Sequence, residues 1–244
     1  MPGDLERGIT SRLTFQGVFN NVPIWSPDGK QIVYASGREQ GIDLYQRPSD
    51  SSGPEQLLVK LAAKPIVFPS DWSADGRFIA YYRLDFKTQL DIWTLPMDAQ
   101  SKPVPYLHGD FNESQPQFSP DGRWIAYVSD ESGTRQVYLQ SFPTLGGQRQ
   151  ISADGGSQPR WRRDGKELYF LAPDRKLMTV TVKTGATVES DVPRAMFQTT
   201  LNPGELRHTY AVSADGQRFL LNIPVETASP PMTVVLNWPA LLKK

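Results

Sequence analysis

The stretch WSPDGKQIVYAS, residues 25–36, decides the fold, because close variants of it recur along the chain. WSADGRFIAYYR begins at Trp72 and FSPDGRWIAYVS at Phe118, and two weaker copies, WRRDGKELYFLA and VSADGQRFLLNI, begin at Trp161 and Val212. The glycines of the shared Asp-Gly pair are spaced by 47, 46, 43 and 51 residues: Gly29, Gly76, Gly122, Gly165 and Gly216. That period is typical of one four-stranded β-propeller blade, which takes about 40 to 45 residues.

Each Asp-Gly pair lies between two apolar runs, which favours a β-hairpin. Glycine accepts a positive φ without steric cost, and aspartate tolerates left-handed geometry better than most residues. A third apolar run follows every hairpin and a fourth follows the first four, so each of these units is predicted to have four strands. The third strands are predicted over 42–46, 91–95, 136–140, 176–182 and 232–238, and the fourth over 55–59, 103–107, 148–151 and 195–199.

The chain is therefore predicted to be all-β, with one β-propeller domain of five four-stranded blades over residues 1–244. The predicted blades cover about 16–60, 66–108, 114–152, 157–200 and 206–238, with a separate strand over 9–15. Strand 9–15 could pair with the last blade and close the ring, since an unpaired edge promotes aggregation. Alternatively, residues 4–15 (DLERGITSRLTF) are the end of an incomplete blade and the chain is a fragment of a larger propeller.

The composition limits the classes of partner that the chain is expected to bind. Lys plus Arg and Asp plus Glu number 26 each, so no basic field exists to attract nucleic acid, and no nucleic-acid partner is expected. The chain has no Cys, which excludes disulfides and thiolate ligands. No stretch approaches the roughly 20 apolar residues of a membrane span, so no direct membrane insertion is expected. Residues 1–10 are not typical of a secretory signal, because they contain charges and no apolar run.

The three strongest repeats resemble those of TolB-type, WD40-like bacterial β-propellers, and the resemblance covers nearly the whole chain. The closing segment, VSADGQRFLLNIPVETASPPMTVVLNWPALLKK, is similar to the C-terminal ends of bacterial receptor-like serine/threonine kinases and of some winged-helix regulators that carry such propellers. The resemblance implies a noncatalytic sensor or protein-interaction module of a larger bacterial signalling or envelope protein, in a periplasmic or other extracytoplasmic location. It supplies no catalytic residues.

The search for catalytic motifs gives the same result. The sequence has no Gly-rich kinase loop, no His-Arg-Asp or Asp-Phe-Gly segment and no Gly-x-Ser-x-Gly elbow. His108 and His208 have no metal-binding spacing, and no cofactor or metal is expected. The chain is therefore not expected to be an enzyme. Two alternatives remain: a five-bladed carbohydrate-active hydrolase that uses Asp71 and Glu113, and an accessory propeller of a prolyl-oligopeptidase-like peptidase.

Ligands of propellers usually bind where the first strands of the blades converge on the central funnel. Polar residues that precede or begin these strands are therefore the candidate ligand- or partner-binding residues: Asn21, Asp71, Glu113, Gln115, Gln158, Arg160, Arg207 and His208. They suit a protein or peptide segment, a glycan or another small polar ligand, bound by a monomer. The recurring Trp25, Trp72 and Trp161 are predicted to pack between neighbouring blades.

Overall fold

The structure is a computed structural model that describes residues 3–4, 9–10, 12–38, 41–61, 65–85, 87–98, 102–185 and 187–223. Every regular element in these ranges is a β-strand, which confirms the all-β prediction. Within the same ranges no helical segment could span a lipid bilayer.

The strands form four antiparallel sheets in chain order, preceded by a short hairpin of β1 (Gly3–Asp4) and β2 (Ile9–Thr10) and followed by a fifth hairpin. Sheet I contains β3 (Phe19–Trp25), β4 (Gln31–Arg38), β5 (Gly41–Pro48) and β6 (Gln56–Val59). Sheet II contains β7 (Ile66–Trp72), β8 (Phe78–Asp85), β9 (Gln89–Pro96) and β10 (Val104–Leu107). Sheet III contains β11 (Glu113–Phe118), β12 (Trp124–Ser129), β13 (Gln136–Ser141) and β14 (Gln148–Gln150).

Sheet IV departs from this scheme because its third strand is long enough to pair with two outer strands. It contains β15 (Ser157–Trp161), β16 (Glu167–Leu171), β17 (Lys176–Thr184), β18 (Val188–Ser190) and β19 (Arg194–Gln198), with β18 and β19 both paired to β17. The fifth hairpin contains β20 (Tyr210–Val212) and β21 (Phe219–Leu221). The repeat therefore predicts all strands of sheets I to IV except β18, which no sequence signal indicated.

The Asp-Gly turn joins the first two strands of every unit. In the first turn the amide of Gly29 donates to the carbonyl of Ser26 (2.9 Å), and Gly29 has φ 70°. One oxygen of Asp28 accepts from the Ser26 hydroxyl (2.6 Å) and from the amide of Lys30 (3.0 Å). Aspartate is thus not the left-handed residue that its propensity suggested. It stabilises the turn through hydrogen bonds, and the bond from Ser26 lowers its pKa.

The other four turns repeat this geometry. Their glycines have φ between 69° and 76°: Gly76, Gly122, Gly165 and Gly216. In the fourth turn Arg162 replaces the serine and donates to Asp164 (2.8 Å), which lowers the pKa of Asp164 to about 2. The hairpin prediction is therefore confirmed in all five units, including the two weakest copies.

Neighbouring sheets pack face to face in chain order, and the first strands of consecutive sheets contact one another. Alternate residues of each strand face the previous and the next sheet, so the core consists of layers between sheets. Between sheets I and II, Val33 and Leu44 pack against Ile79 and Tyr81. Between sheets II and III, Tyr82 and Ile92 pack against Phe118 and Tyr127. Between sheets III and IV, Leu139 and Ala126 pack against Leu168 and Phe170. Leu171 and Leu177 pack against Tyr210 of the fifth hairpin. This succession is the radial arrangement of a propeller.

The prediction for the repeated tryptophans holds for two of three. Trp72 and Trp161 pack, partly buried, in the layers that their sheets share with the preceding sheet. Trp25 is 51% exposed. The preceding sheet in a closed ring would be the fifth unit, whose described residues end at Ile223.

The prediction of a strand over 9–15 that closes the last blade is not met in the described residues. Ile9–Thr10 pairs with Gly3–Asp4, and residues 12–15 have no strand. The buried Leu13 instead packs on Ile32 and Tyr34, on the face of sheet I that points away from sheet II. Arg47 donates a hydrogen bond through Nη1 to the carbonyl of Leu13 (2.8 Å). The predicted strand 232–238 lies outside the described residues, so the blade limits and the choice between a ring of five and a larger propeller stay predictions.

Candidate binding cavity

A cavity of about 530 Å³ lies where the first strands of sheets I, II and IV meet the segment that leads to the fifth hairpin. Its polar lining includes Asn21 from β3, Ser70 from β7, Arg160 from β15, and Arg207 and His208 from the segment before β20. Residues far apart in the sequence converge here because the first strand of every sheet lies nearest the common axis. The cavity is therefore the central funnel of the described propeller.

A β-bulge interrupts the register of each of the first strands β3, β11 and β15. Val22, Gln115 and Gln158 have φ of 50°, 56° and 56°, and each lies three residues before the repeat aromatic and directly before a proline. A positive φ is unfavourable for residues other than glycine, most of all for β-branched valine. Such strain concentrates at functional sites and persists only where surrounding contacts hold it.

Glutamine side chains supply those contacts in sheets III and IV. The Gln115 side chain accepts from the amide of Gln158 (2.7 Å) and donates to the carbonyl of Glu205 (2.8 Å). The Gln158 side chain accepts from the amide and hydroxyl of Thr209 (2.7 and 2.8 Å) and donates to the carbonyl of Asn202 (3.2 Å). Each glutamine therefore binds the backbone of the next unit and fixes the spacing of the first strands around the axis.

A second chain of polar contacts crosses three sheets. Arg160 donates through Nη1 to the side chain of Gln117 (2.9 Å), and Gln117 donates to the carbonyl of Ser70 (2.9 Å). The neighbouring carboxylate, Asp71, accepts from the amide of Phe118 (2.8 Å). Sheets II, III and IV are thus connected by hydrogen bonds directly below the cavity surface.

Burial shifts the pKa values of the titratable groups at this site. Burial raises the pKa of Asp71 to about 6, although the positive charge of Arg160 and hydrogen bonds from backbone amides oppose the rise. Burial also lowers the pKa of Arg160, against the attraction of Asp71. For His208, burial and then the repulsion of Arg160 hold the pKa well below 6.5, so its imidazole is neutral at pH 7.

One contact joins the two ends of the described propeller at the cavity rim. The exposed Arg207 donates through Nη1 to the side-chain oxygen of Asn21 at 3.0 Å. Arg207 precedes the fifth hairpin, whereas Asn21 belongs to the first strand of sheet I. The first and last units are therefore adjacent around the axis, as a radial arrangement requires.

The eight candidate residues separate into two groups. Asn21, Arg160, Arg207 and His208 line the cavity. Asp71, Glu113, Gln115 and Gln158 are not part of its lining. The ligand-binding role of all eight residues stays a prediction. The glutamines are explained by their hydrogen bonds, because each side chain binds the backbone of the next unit. Asp71 faces the backbone of sheet III for the hydrogen bond described above.

Glu113 lies in a different environment, among carboxylates at the other end of β11. Burial raises its pKa to about 8, and the negative charges of Asp91, Asp130 and Glu131 add to the rise. Asp71 binds the amide of Phe118, five residues along the strand from Glu113, which corresponds to roughly 15 Å. Paired glycosidase carboxylates are about 5 to 10 Å apart, so the geometry does not support the pair Asp71 and Glu113. Among the described residues no cluster of His, Asp or Glu is arranged to hold a metal ion.

Sequence reasoning missed several residues of the cavity lining: Thr200, Leu201, Asn202, Glu205 and Asn222. The carbonyls of Asn202 and Glu205 are also the acceptors for the two structural glutamines. A signal was available in the recurring Ser-Gln-Pro tripeptide at 114–116 and 157–159. Its recurrence at one repeat position indicated an architectural role for the glutamines rather than ligand binding.

Two curated proteins are similar to this chain in sequence. No family model matches it. It is 30% identical over 178 residues to the uncharacterized protein Atu1656 of Agrobacterium fabrum. The matched stretch covers 67% of this chain and 58% of that protein. It is also 30% identical over 127 residues to the uncharacterized peptidase YuxL of Bacillus subtilis, which covers 48% of this chain and 18% of that protein. The chain thus spans only part of the length of either relative.

Solved structures show the same fold. TolB from Acinetobacter baumannii superposes with a TM-score of 0.59 at 19% identity, over 81% of this chain and 47% of that one. The β-propeller domain of Cps50 (Swd1) from Myceliophthora thermophila superposes with a TM-score of 0.57 at 15% identity, over 89% of this chain and 71% of that one. The fold of this chain is therefore that of the TolB-type and WD40-like β-propellers, as its repeats predicted.

Proposed function

We propose that this chain is a noncatalytic binding module whose central cavity holds a polar peptide segment of a partner protein. The observation that carries the proposal is the cavity itself, in which polar side chains from sheets I, II and IV and from the segment before β20 converge. Cavities that combine this size with a few convergent polar groups are typical of ligand sites. The strained first strands and their hydrogen-bonded glutamines hold the cavity wall in one shape, which reduces the entropic cost of binding.

The arrangement of Ser70 and His208 supports binding rather than catalysis. In a serine hydrolase the imidazole accepts a hydrogen bond from the serine hydroxyl and donates one to a carboxylate. Here neither Ser70 Oγ nor His208 Nε2 has a hydrogen-bond partner among the described residues. The cavity therefore offers recognition groups without an activated nucleophile.

The finer proposal is that the module serves a larger bacterial signalling or envelope protein. It is supported by the resemblance of the C-terminal segment to receptor-like kinases and by the partial coverage of both curated relatives. The coding sequence that flanks this chain tests it directly. A membrane span with a kinase or winged-helix domain in the same reading frame is expected, and a flanking sequence that encodes neither would overturn this assignment.

Selection of peptides on the purified chain tests the binding function. Peptides from a random displayed library are expected to bind the wild-type chain and to lose at least about tenfold in affinity when Asp71→Asn and Arg160→Met are combined, since this pair removes both partners of one buried charge interaction. Arg123→Met is the matched control, because Arg123 lies in an exposed turn, paired with Asp121. Undiminished binding to a double variant that melts like the wild type would remove the cavity from consideration.

A second candidate function is that of an accessory propeller in a prolyl-oligopeptidase-like peptidase. Its support is the similarity to the uncharacterized peptidase YuxL of Bacillus subtilis, although the match covers only 18% of that protein. This function requires a hydrolase domain with a Gly-x-Ser-x-Gly elbow in the same reading frame. A signalling domain there instead would exclude it.

A further inference from the structure

The outer edge of the fifth hairpin has no strand partner among the described residues. The amide of Asn222 donates to the carbonyl of Thr209 (2.8 Å), so Asn222 and Leu220 direct their backbone groups to β20. Successive residues of a strand direct their backbone N–H and C=O groups to opposite edges. Phe219 and Leu221 therefore present their backbone groups at the free edge, where a further strand can bind.

The side chains beside this edge are also incompletely covered. In the layers between sheets I to IV, the third strand of the later sheet contributes buried residues: Leu95 of β9, Tyr138 of β13 and Val180 of β17. In the layer between sheet IV and the fifth hairpin, the described residues include no such third strand. Phe197 of β19 contacts Phe219 edge-on, with 5.5 Å between ring centroids, and is still 38% exposed. This layer therefore lacks the apolar residues that a third strand supplies elsewhere.

The register of the repeat identifies the residues that belong at this edge. In sheets I and III, the residue five positions after the turn glycine pairs with the residue sixteen positions after it: Tyr34 with Tyr45, and Tyr127 with Tyr138. Counted from the fifth turn glycine, the same spacing places Met232 opposite Leu221. It places Val234 opposite Phe219. Both partners belong to the predicted third strand 232–238, which lies outside the described residues.

The amino acids of this segment suit the place that the register gives them. The apolar Met232 and Val234 fall on the face toward the preceding sheet, where Tyr138 of sheet III also lies, because partners directly opposite each other share a face. Pro230 and Pro231 have no amide for a strand ladder, and they precede the segment. The shorter spacing of sheet IV would place both prolines inside the strand, so the spacing of sheets I and III is the one that fits.

We propose that residues 232–238 dock on the free edge of β21 as the third strand of the fifth unit, in the register given above. The occupant of the edge is thus a segment of the same chain. Eight residues separate Ile223 from Met232, which is enough for a hairpin loop and gives the segment a high effective concentration at the edge. Because Asn222 ends β21 and lines the cavity, the added strand also stabilises one wall of the cavity.

Engineered cysteines in the full chain test the register, because the chain has no cysteine of its own. Leu220 is 62% exposed, and in the proposed register it lies opposite Thr233 in a non-hydrogen-bonded pair, in which the two Cβ atoms are closest. Leu220→Cys with Thr233→Cys is expected to form a disulfide within one chain under mild oxidation. Leu220→Cys with Asn237→Cys is the matched control. It should form at least about tenfold less disulfide, because position 237 lies about 13 Å further along the strand.

Hydrogen exchange provides a second measurement that needs no cross-link. The amides of Phe219 and Leu221 are expected to exchange at least about tenfold faster in Val234→Pro than in the wild-type chain, because proline removes the amide that binds the Phe219 carbonyl. Glu226→Pro is the matched control, since it lies in the loop before the segment, and it should leave both amides protected. Unchanged exchange of the Tyr127 amide shows that the four sheets of the variant remain folded.

Three results would overturn the inference. Equal cross-linking of the two cysteine pairs would contradict the register. A disulfide that joins two chains through position 220 would assign the edge to a second copy of the chain. Fast exchange of the Phe219 and Leu221 amides in the wild-type chain would mean that the edge is unpaired in solution.

Discussion

Sheets I and III are built from nearly the same repeat but differ in burial. Every residue of β11 and β12 in sheet III is buried, whereas every residue of β3 in sheet I is exposed or half-buried. Phe118 is 5% exposed and Trp25, at the same repeat position, is 51% exposed. Sheet III has sheets II and IV on its two faces, while sheet I has sheet II on one face and the segment around Leu13 on the other. Local sequence therefore determines the strands, and the neighbours determine how much each repeat contributes to stability.

The largest difference is expected between Phe118→Ala and Trp25→Ala. Loss of the buried ring should lower the free energy of unfolding by about 3 to 5 kcal/mol, because it removes apolar contacts and leaves a cavity between sheets II and III. Loss of the half-exposed Trp25 should cost about 1 kcal/mol. Urea denaturation of both variants measures this. Equal losses would mean that Trp25 is covered in solution, which would favour a closed ring.

The second comparison concerns the left-handed residues, Gln158 in sheet IV and Val22 in sheet I. Gln158→Ala should lower the free energy of unfolding by about 2 to 3 kcal/mol, because it leaves the amide of Thr209 and the carbonyl of Asn202 unpaired. Val22→Gly should be neutral or stabilising by up to about 1 kcal/mol, because glycine adopts φ 50° without strain. Thermal denaturation of both variants decides, and a clear loss of stability in Val22→Gly would show that strain at β3 is negligible.

The smallest expected effect is the pH dependence of stability that originates at Glu113 in sheet III. The folded-state pKa of Glu113, about 8, lies above its ordinary value of 4.5, so the protonated form is favoured by folding. The stability this provides is complete below about pH 4.5 and is lost as the pH rises through about 8. Glu113→Gln should therefore reduce the loss of stability between about pH 5.5 and 9 by roughly 1 to 2 kcal/mol, a moderate value because the protein relaxes around a buried charge.

Urea denaturation of wild type and Glu113→Gln at both pH values provides that measurement. Glu189→Gln is a suitable control, because Glu189 is an exposed residue of β18. Parallel pH profiles for wild type and Glu113→Gln would contradict the raised pKa.

The sequence was sufficient to predict the hairpins and the order of the strands, because Asp-Gly and the alternation of apolar residues act locally. It was insufficient where distant contacts decide. The positive φ of Gln115 depends on its hydrogen bonds to Gln158 and Glu205, and the exposure of Trp25 depends on which sheet lies beside it. Among the candidate residues, Arg160 and His208 line the cavity, whereas Gln158 binds the backbone of the next unit through contacts that are distant in sequence. The binding role of these residues stays a prediction.

The contact between Arg207 and Asn21 gives the cavity a mechanical significance. It is an exposed polar bond between the first and last described units, and exposed bonds of this kind contribute little stability. A molecule bound in the cavity would contact both units at once and would hold them together. Binding would then stabilise the contact between the first and last described units, and slower hydrogen exchange in β3 and β20 would report it.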